Sequence, residues 1–215
     1  LRQAAVTLER WLGARTDALL FVSTKDIEKA RHYRIGRQTQ YHVVRAGIDL
    51  AKFKPATPET RLQARELLAL PDDVLVVGTV ARIDIQKAPR DWAAACALIA
   101  RQLPKAHFVW VGDGPQRSVL KADLEKAGIA DRVTLTGFRD DVERLYAAFD
   151  VFLLLSLWEG LPRSIVEAMA TGTPVVATAV DGNAEIVEHG TNGLLVPPGR
   201  PLEAADAVCM LAADA

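Results

Sequence analysis

Apolar and polar positions along this chain follow two rhythms. Val151 to Leu155 is an unbroken apolar run, the mark of a parallel strand covered on both faces. Other strand-like runs fall at Val74 to Val80, His107 to Val111, Val133 to Thr136, Val175 to Ala177 and Leu194 to Val196. Between them, apolar residues recur at helical spacing over Thr60 to Leu70, Pro89 to Gln102, Gln116 to Ala127, Asp141 to Phe149, Ala184 to Glu188 and Leu202 to Ala213. Strand and helix alternating at this interval predict an α/β fold with a doubly wound, Rossmann-like parallel sheet. The front of the chain reads helix (Leu1 to Arg15), strand (Ala18 to Val22), helix (Thr24 to Tyr33, with Ser23 as its cap) and strand (Tyr41 to Arg45). Ala46, Gly47, Ile48 and Asp49 follow, then an anchor at Phe53. Pro55, Thr57 and Pro58 make a linker.

The densest stretch is DVFLLLSLWEGLPRSIVEAMATGTP, residues 150–174. After its strand comes a turn in which Gly160 supplies a conformation that other residues avoid. Pro162 suits a first helical position, and Gly172 with Pro174 ends the helix. Gly160 and Leu161 carry no oxygen that would cap this helix. The N–H groups near Arg163, Ser164 and Ile165 are therefore free for an anion such as a pyrophosphate. Glu159 stands before that end and Glu167 about one turn inside it, in a Glu-x7-Glu spacing. An ionised carboxylate is a pure acceptor for hydroxyl protons, so two of them flanking an anion site suit a nucleotide sugar: ribose, diphosphate, hexose. The spacing alone favours two solvated glutamates. The glycine, the proline and the uncapped helix start favour a site.

Ligands on such sheets bind beyond the carboxyl ends of the strands, here the loops after Val80, Val111, Thr136 and Leu155. ARIDIQKAP (81–89) offers Arg82 and Lys87, which taken alone read as two ordinary surface charges and together could neutralise a departing diphosphate. GDGPQ (112–116) places Gly112 and Gly114 either in a plain strand-to-helix turn or where backbone nears a ligand. TGFRDD (136–141) brings Gly137, Phe138 and Arg139, with Phe138 equally suited to packing and Asp140 expected to cap the next helix. Glu185 reads as a surface helix charge or a group approaching a sugar.

Composition narrows the functional classes. Half of the 215 residues are hydrophobic, and the formal net charge is −1, with an isoelectric point near 6.5. That balance gives no bias toward nucleic acid. Cys96 and Cys209 lie in apolar helical patterns, which fits reduced thiols and a cytoplasmic location. His32, His42, His107 and His189 show no metal spacing. No G-x-S-x-G hydrolase motif occurs. No G-x-G-x-x-G follows the strand Val74 to Val80, which argues against an NAD-dependent oxidoreductase. The chain opens on Leu1 and stops within a helical pattern at Ala215, as a piece truncated at both ends would.

WEGLPRSIVEAMATGTPVVAT resembles the donor-site signature of the retaining family-4 glycosyltransferases, which have the GT-B fold. The likeness runs from about Val74 to Pro198, and HVVRAGIDLAKFKP resembles the family's crossing between domains. DGNAEIVEHGTNGLLVPPG continues it, with a short helix at GNAEIV and a turn at Asn192-Gly193. The resemblance implies that residues 1–55 end an acceptor domain and cross over, and that 56–215 are the C-terminal donor domain, truncated at its end. It assigns donor-sugar hydroxyls to Glu159, ribose to Glu167, phosphates to Arg82 and Lys87, and the surroundings of the nucleobase to Gly137, Phe138 and Arg139. The family's glycine after the lysine is Ala88 here. It further implies a UDP- or GDP-sugar donor, no metal cofactor, a glycan or lipid-linked acceptor, and peripheral membrane contact in the full-length enzyme. The acceptor pocket would lie in the missing domain, leaving this piece alone inactive in transfer. A non-catalytic nucleotide-sugar-binding module is the alternative.

Overall fold

The computed structural model describes residues 2–71 and 73–213. The expected helix end at Leu1 and the stop at Ala215 lie outside the described residues. The first unit consists of α1 (Arg2–Gly13), β1 (Leu19–Phe21), α2 (Thr24–His32) and β2 (Tyr41–Val43). Strands β1 and β2 pair in parallel as a sheet of two. Ser23 caps α2 as expected, its hydroxyl accepting from Asp26 N.

The second unit continues α3 (Pro58–Leu67), β3 (Leu75–Val80), α4 (Pro89–Gln102), β4 (Ala106–Val111), α5 (Arg117–Lys126), β5 (Val133–Gly137), α6 (Val142–Leu145), β6 (Val151–Leu154), α7 (Arg163–Ala170), β7 (Val175–Thr178), α8 (Asn183–Ile186), β8 (Leu194–Val196) and α9 (Pro201–Ala213). Its six strands are all parallel, in the order β5-β4-β3-β6-β7-β8. The expected doubly wound sheet is therefore present. The expected helix from Asp141 to Phe149 is shorter: α6 ends at Leu145, and Tyr146–Ala148 tighten into a 3-10 turn.

Both faces of the sheet are covered. Helices α4, α5 and α9 bury Trp92, Ile99, Leu120 and Val208 against one face, with Phe108, Trp110 and Leu153. On the other, α3, Tyr146 and α7 pack Ala64, Ile165 and Ala168 against Val76, Val109 and Phe152. Several polar groups inside this core have partners, as burial demands, whereas the buried Asn183 Oδ1 has none among the described residues. Trp92 Nε1 donates to Thr79 Oγ1 (2.7 Å), whose hydroxyl donates to Leu153 O (2.6 Å). Asp150 Oδ2 accepts from Val76 N (2.7 Å) and Arg65 Nη2 (3.1 Å). Gly78 is set by packing, since a Cβ there would lie 2.3 Å from the Phe149 ring. Phe53, the expected anchor, is buried and meets Tyr146 edge-on at 5.8 Å.

Strand order reverses between β3 and β6, which are neighbours in the sheet though far apart in sequence. At such a switch point the loops leaving the two carboxyl ends diverge and open a crevice. Those loops carry Arg82 and Lys87 on one side and Glu159 on the other.

Candidate active site

Four loops meet at the carboxyl edge of the large sheet, joined largely through backbone. Ala81 N donates to Val111 O (3.0 Å), Ile83 N to Asp113 O (3.0 Å), Gly112 N to Gly137 O (2.9 Å), and Leu157 N to Gln86 O (2.8 Å). Gly112 and Gly114 serve this joining, as the reading of a strand-to-helix turn expects. A Cβ on Gly112 would lie 2.0 Å from Ala81 O, and one on Gly114 would lie 2.3 Å from Ile83 O. These glycines seat the Arg82 loop.

Glu159 and Glu167 are not solvated glutamates: each is 7% exposed. Glu159 lies in a polar cluster. Ser156 Oγ donates to its Oε1 (2.6 Å), Gln86 Nε2 approaches Oε2 (3.4 Å), and Lys87 Nζ forms an ion pair with Oε1. Gln86 Nε2 also donates to Trp158 O (2.9 Å), and Glu159 N donates to Asp181 Oδ2 (3.3 Å). Glu167 lies on α7, where it accepts from Tyr146 Oη (2.8 Å) and sits 3.5 Å from Arg163. Burial pushes the Tyr146 phenol well above its ordinary value, and the neighbouring Glu167 carboxylate adds to this. Tyr146 is therefore a fixed donor to Glu167.

The start of α7 has no side-chain cap, as expected, so amide N–H groups face the loop. Two details differ from the sequence reading. Pro162 is the residue before the helix rather than its first residue, and Ile165 N donates to Pro162 O (3.3 Å), which occupies one of the three amides assigned to an anion. Gly160 does not take a left-handed φ. A Cβ there would lie 3.0 Å from Val22 Cγ2, a tight approach to a partly exposed side chain. Leu161 links the two carboxylates' elements and is half-buried.

The remaining candidates are scattered more widely. Lys87 meets Glu159, but Arg82 is 70% exposed and 3.6 Å from Asp84. Ala88, in the family's glycine position, takes a left-handed φ of 47°. Gly137 is left-handed too, with φ 76°. Phe138 is 83% exposed and packs no core. Arg139 is engaged by Asp141 through two bonds of 2.7 and 2.6 Å, which hold the Asp141 carboxyl below its ordinary value. The residue preceding α6 is Asp141 rather than Asp140, and its side chain makes no cap bond.

Glu185 is neither a free surface charge nor turned to the Glu159 cluster. It accepts from Thr24 Oγ1 (2.6 Å), Lys25 N (3.0 Å) and Arg45 Nη2 (3.1 Å), tying α8 to the start of α2. Burial alone would raise its pKa, but these bonds together outweigh that and hold it below the ordinary glutamate value. Sequence reasoning missed Ser156, Gln86, Tyr146 and Asp181. Ser156 and Gln86 sit within a few residues of Glu159 and Lys87, a cue in retrospect. Tyr146 and Asp181 gave none, because they reach the carboxylates only through the fold. Among the described residues no group of three or more His, Cys, Asp and Glu side chains is arranged to hold a metal ion. No helix among them is long and apolar enough to cross a membrane.

Two buried carboxylates, a lysine and an uncapped helix start are thus gathered at a switch point, and known proteins resemble this chain in sequence and fold. The chain is 36% identical over 157 residues to the UDP-Gal:alpha-D-GlcNAc-diphosphoundecaprenol alpha-1,3-galactosyltransferase of Escherichia coli, covering 72% of this chain and 40% of that one. It is 40% identical over 163 residues to the 2-deoxystreptamine glucosyltransferase of Streptomyces kanamyceticus, covering 74% and 41%. The structure of Anabaena HepE in complex with UDP-glucose superposes with a TM-score of 0.91 at 29% identity, covering 100% of this chain and 59% of that one. The structural neighbours are GT-B glycosyltransferases. The chain thus spans about half the length of the relatives it matches. Residues 72–214 match the family model of the glycosyl transferases group 1, and the chain belongs to that family.

Proposed function

We propose that this chain is the donor-binding part of a retaining glycosyltransferase that moves a hexose-type sugar from a UDP- or GDP-sugar to a glycan or lipid-linked acceptor. The observation that carries this reading is the burial of Glu159 and Glu167 on either side of the uncapped start of α7, with Lys87 held against Glu159. Buried carboxylates are rare without a partner or a task. In this reading the diphosphate lies at the α7 start and draws Lys87 toward itself, with Arg82 swinging in from solvent. Glu159, released from the ammonium, is then an acceptor for donor-sugar hydroxyls, and Glu167, oriented by Tyr146, accepts from the ribose. Charge on the leaving diphosphate is met by two cations and helix N–H groups, so no metal is required. HepE crystallised with UDP-glucose and a relative named for UDP-Gal support a uridine donor, and the relative named for a diphosphoundecaprenol acceptor supports a lipid-linked one.

Residues 1–55 would close an acceptor domain, and 56–215 would be the donor domain. In the whole enzyme, a cytoplasmic location at the inner membrane face follows from a lipid-linked acceptor. Transfer requires both walls of the cleft, since near-attack geometry is worth about 7–11 kcal/mol. The chain by itself is expected to bind donor and form no glycoside.

Calorimetry with UDP and GDP tests the reading. One of them is expected to bind, and Arg82→Ala or Lys87→Ala to weaken it by about 1.5–3 kcal/mol, the range of a charge-assisted contact. Failure of both nucleotides to bind the folded chain would refute it.

A further inference from the structure

The turn between β7 and α8 carries the other anomaly of the site. Asp181 has a φ of 34°, in a region that residues with a Cβ rarely adopt. Such backbone persists only where its surroundings over-determine it, and it clusters where a side chain must be placed. The surroundings here are specific. A Cβ on the next residue, Gly182, would lie 1.7 Å from Gly160 O, so the turn is pressed against the Glu159 loop. The Asp181 carboxylate faces two ways. Its Oδ2 accepts from Glu159 N (3.3 Å), and its Oδ1 pairs with Lys29 Nζ (2.8 Å) on α2. Lys29 also lies 3.6 Å from Asp26, and Glu185 on α8 fastens the first turn of the same helix. On the opposite side of Glu159, the left-handed Ala88 follows Lys87. The Glu159 loop is thus bracketed by two strained residues, each adjoining or making a polar contact.

A merely structural staple does not need this arrangement. Glycine would adopt the turn without strain, and α2 is already fastened through Glu185. What Asp181 adds is a charged acceptor on the backbone of Glu159, itself held by a cation from the other unit.

We propose that Asp181 is a positioning residue for the reaction. It fixes the Glu159 backbone so that the carboxylate meets the donor sugar, and through Lys29 it makes that placement depend on the docking of α2. The inference rests on the donor-site reading above, in which Glu159 serves the sugar.

The test is calorimetry on the full chain with UDP-glucose and GDP-mannose, each beside its bare diphosphate, for wild type and for Glu159→Ala, Asp181→Gly, Lys29→Gln and Lys29→Arg. Asp181→Gly removes the carboxylate and relieves the backbone, so loss of folding does not obscure the result. It is expected to weaken the bound nucleotide sugar about tenfold, the effect of losing one hydrogen bond to a charged group, and to leave the bare diphosphate unchanged. Lys29→Gln should shift the same ligand in the same direction by a smaller factor, and Lys29→Arg should retain wild-type binding. If Glu159→Ala weakens the nucleotide sugar while Asp181→Gly does not, this inference is overturned and the donor-site reading stands. Equal weakening of sugar and bare diphosphate by Asp181→Gly would also overturn it, since that is damage to the whole site. Absence of any effect of Glu159→Ala removes the donor-site reading, and the inference falls with it.

Discussion

The two sheets of this molecule obey the same chemistry with opposite results. The sheet of six has helices on both faces, and polar groups deep in its core are matched to one another: Trp92 to Thr79, Thr79 to Leu153, Asp150 to Val76 and Arg65. The sheet of two has α1 and α2 but leaves Leu8, Trp11, Leu12, Leu20, Val22, Val43 and Val44 exposed, with a groove of roughly 680 Å³ among Val6, Leu12, Leu19, Phe21, Ala30 and Ile35. Two short strands bury too little to stand alone. The contrast teaches that a closed core surrounds the crevice with the buried carboxylates, while the first unit leans on the second through Arg45–Glu185 and Lys29–Asp181.

The contrast is broken most forcefully inside the large core. Trp92→Ala removes a fully buried ring that meets Trp110 at 4.9 Å and is expected to cost about 3–5 kcal/mol. Denaturant unfolding followed by circular dichroism checks this, and a loss near zero would mean that the face under α4 is not close-packed. Asp150→Ala should cost about 3 kcal/mol, because it takes the acceptor from Arg61, Arg65 and Val76 N at once. The same unfolding curves measure it.

The contact between the units should respond to acid. The Glu185 pKa is held below the ordinary glutamate value of about 4.3, so the undocked carboxyl binds protons first. The contact therefore contributes fully above that ordinary value and is lost as pH falls through the lower, docked one. Protection of the Lys25 amide against hydrogen exchange, after correction for the intrinsic pH dependence, should fall across this window as pH drops, and Glu185→Gln should abolish that fall. Corrected protection that does not change with pH would show that α2 is held by other groups. The smallest change in stability is expected at the open face. Trp11→Ala together with Leu20→Ser should shift stability by less than about 1 kcal/mol while reducing self-association in analytical ultracentrifugation.

What could be read from residues alone divides along a physical line. Burial imposes period on a segment, so β6, α4 and the alternation around them were visible in runs such as VFLLL and in the Pro89 to Gln102 stretch. The uncapped α7 was visible in its local sequence, whereas Glu159, Glu167 and Lys87 were singled out only with that helix start and the family resemblance, since spacing alone does not separate them from solvated charges. The contacts that crowd Gly112, Gly114 and Gly160 were not visible, since each is made by backbone or a side chain brought close only by folding. Arg139 looked free for a ligand because no sequence pattern reveals that Asp141 holds it with both oxygens. Asp181 and Tyr146 stayed hidden for the same reason, being more than a helix away from the carboxylates they orient.

The division of labour between the two buried carboxylates is the centre of this account. Titrating UDP and UDP-glucose into wild type, Glu159→Ala and Glu167→Ala, with the guanosine pair alongside, examines it directly. Glu167→Ala is expected to weaken the bare nucleotide and the nucleotide sugar alike, since it serves the ribose. Glu159→Ala is expected to leave the bare nucleotide nearly unchanged and to weaken only the nucleotide sugar. The reverse pattern, with Glu159 governing the bare nucleotide and Glu167 only the sugar, would contradict the account and turn the donor end for end in the crevice.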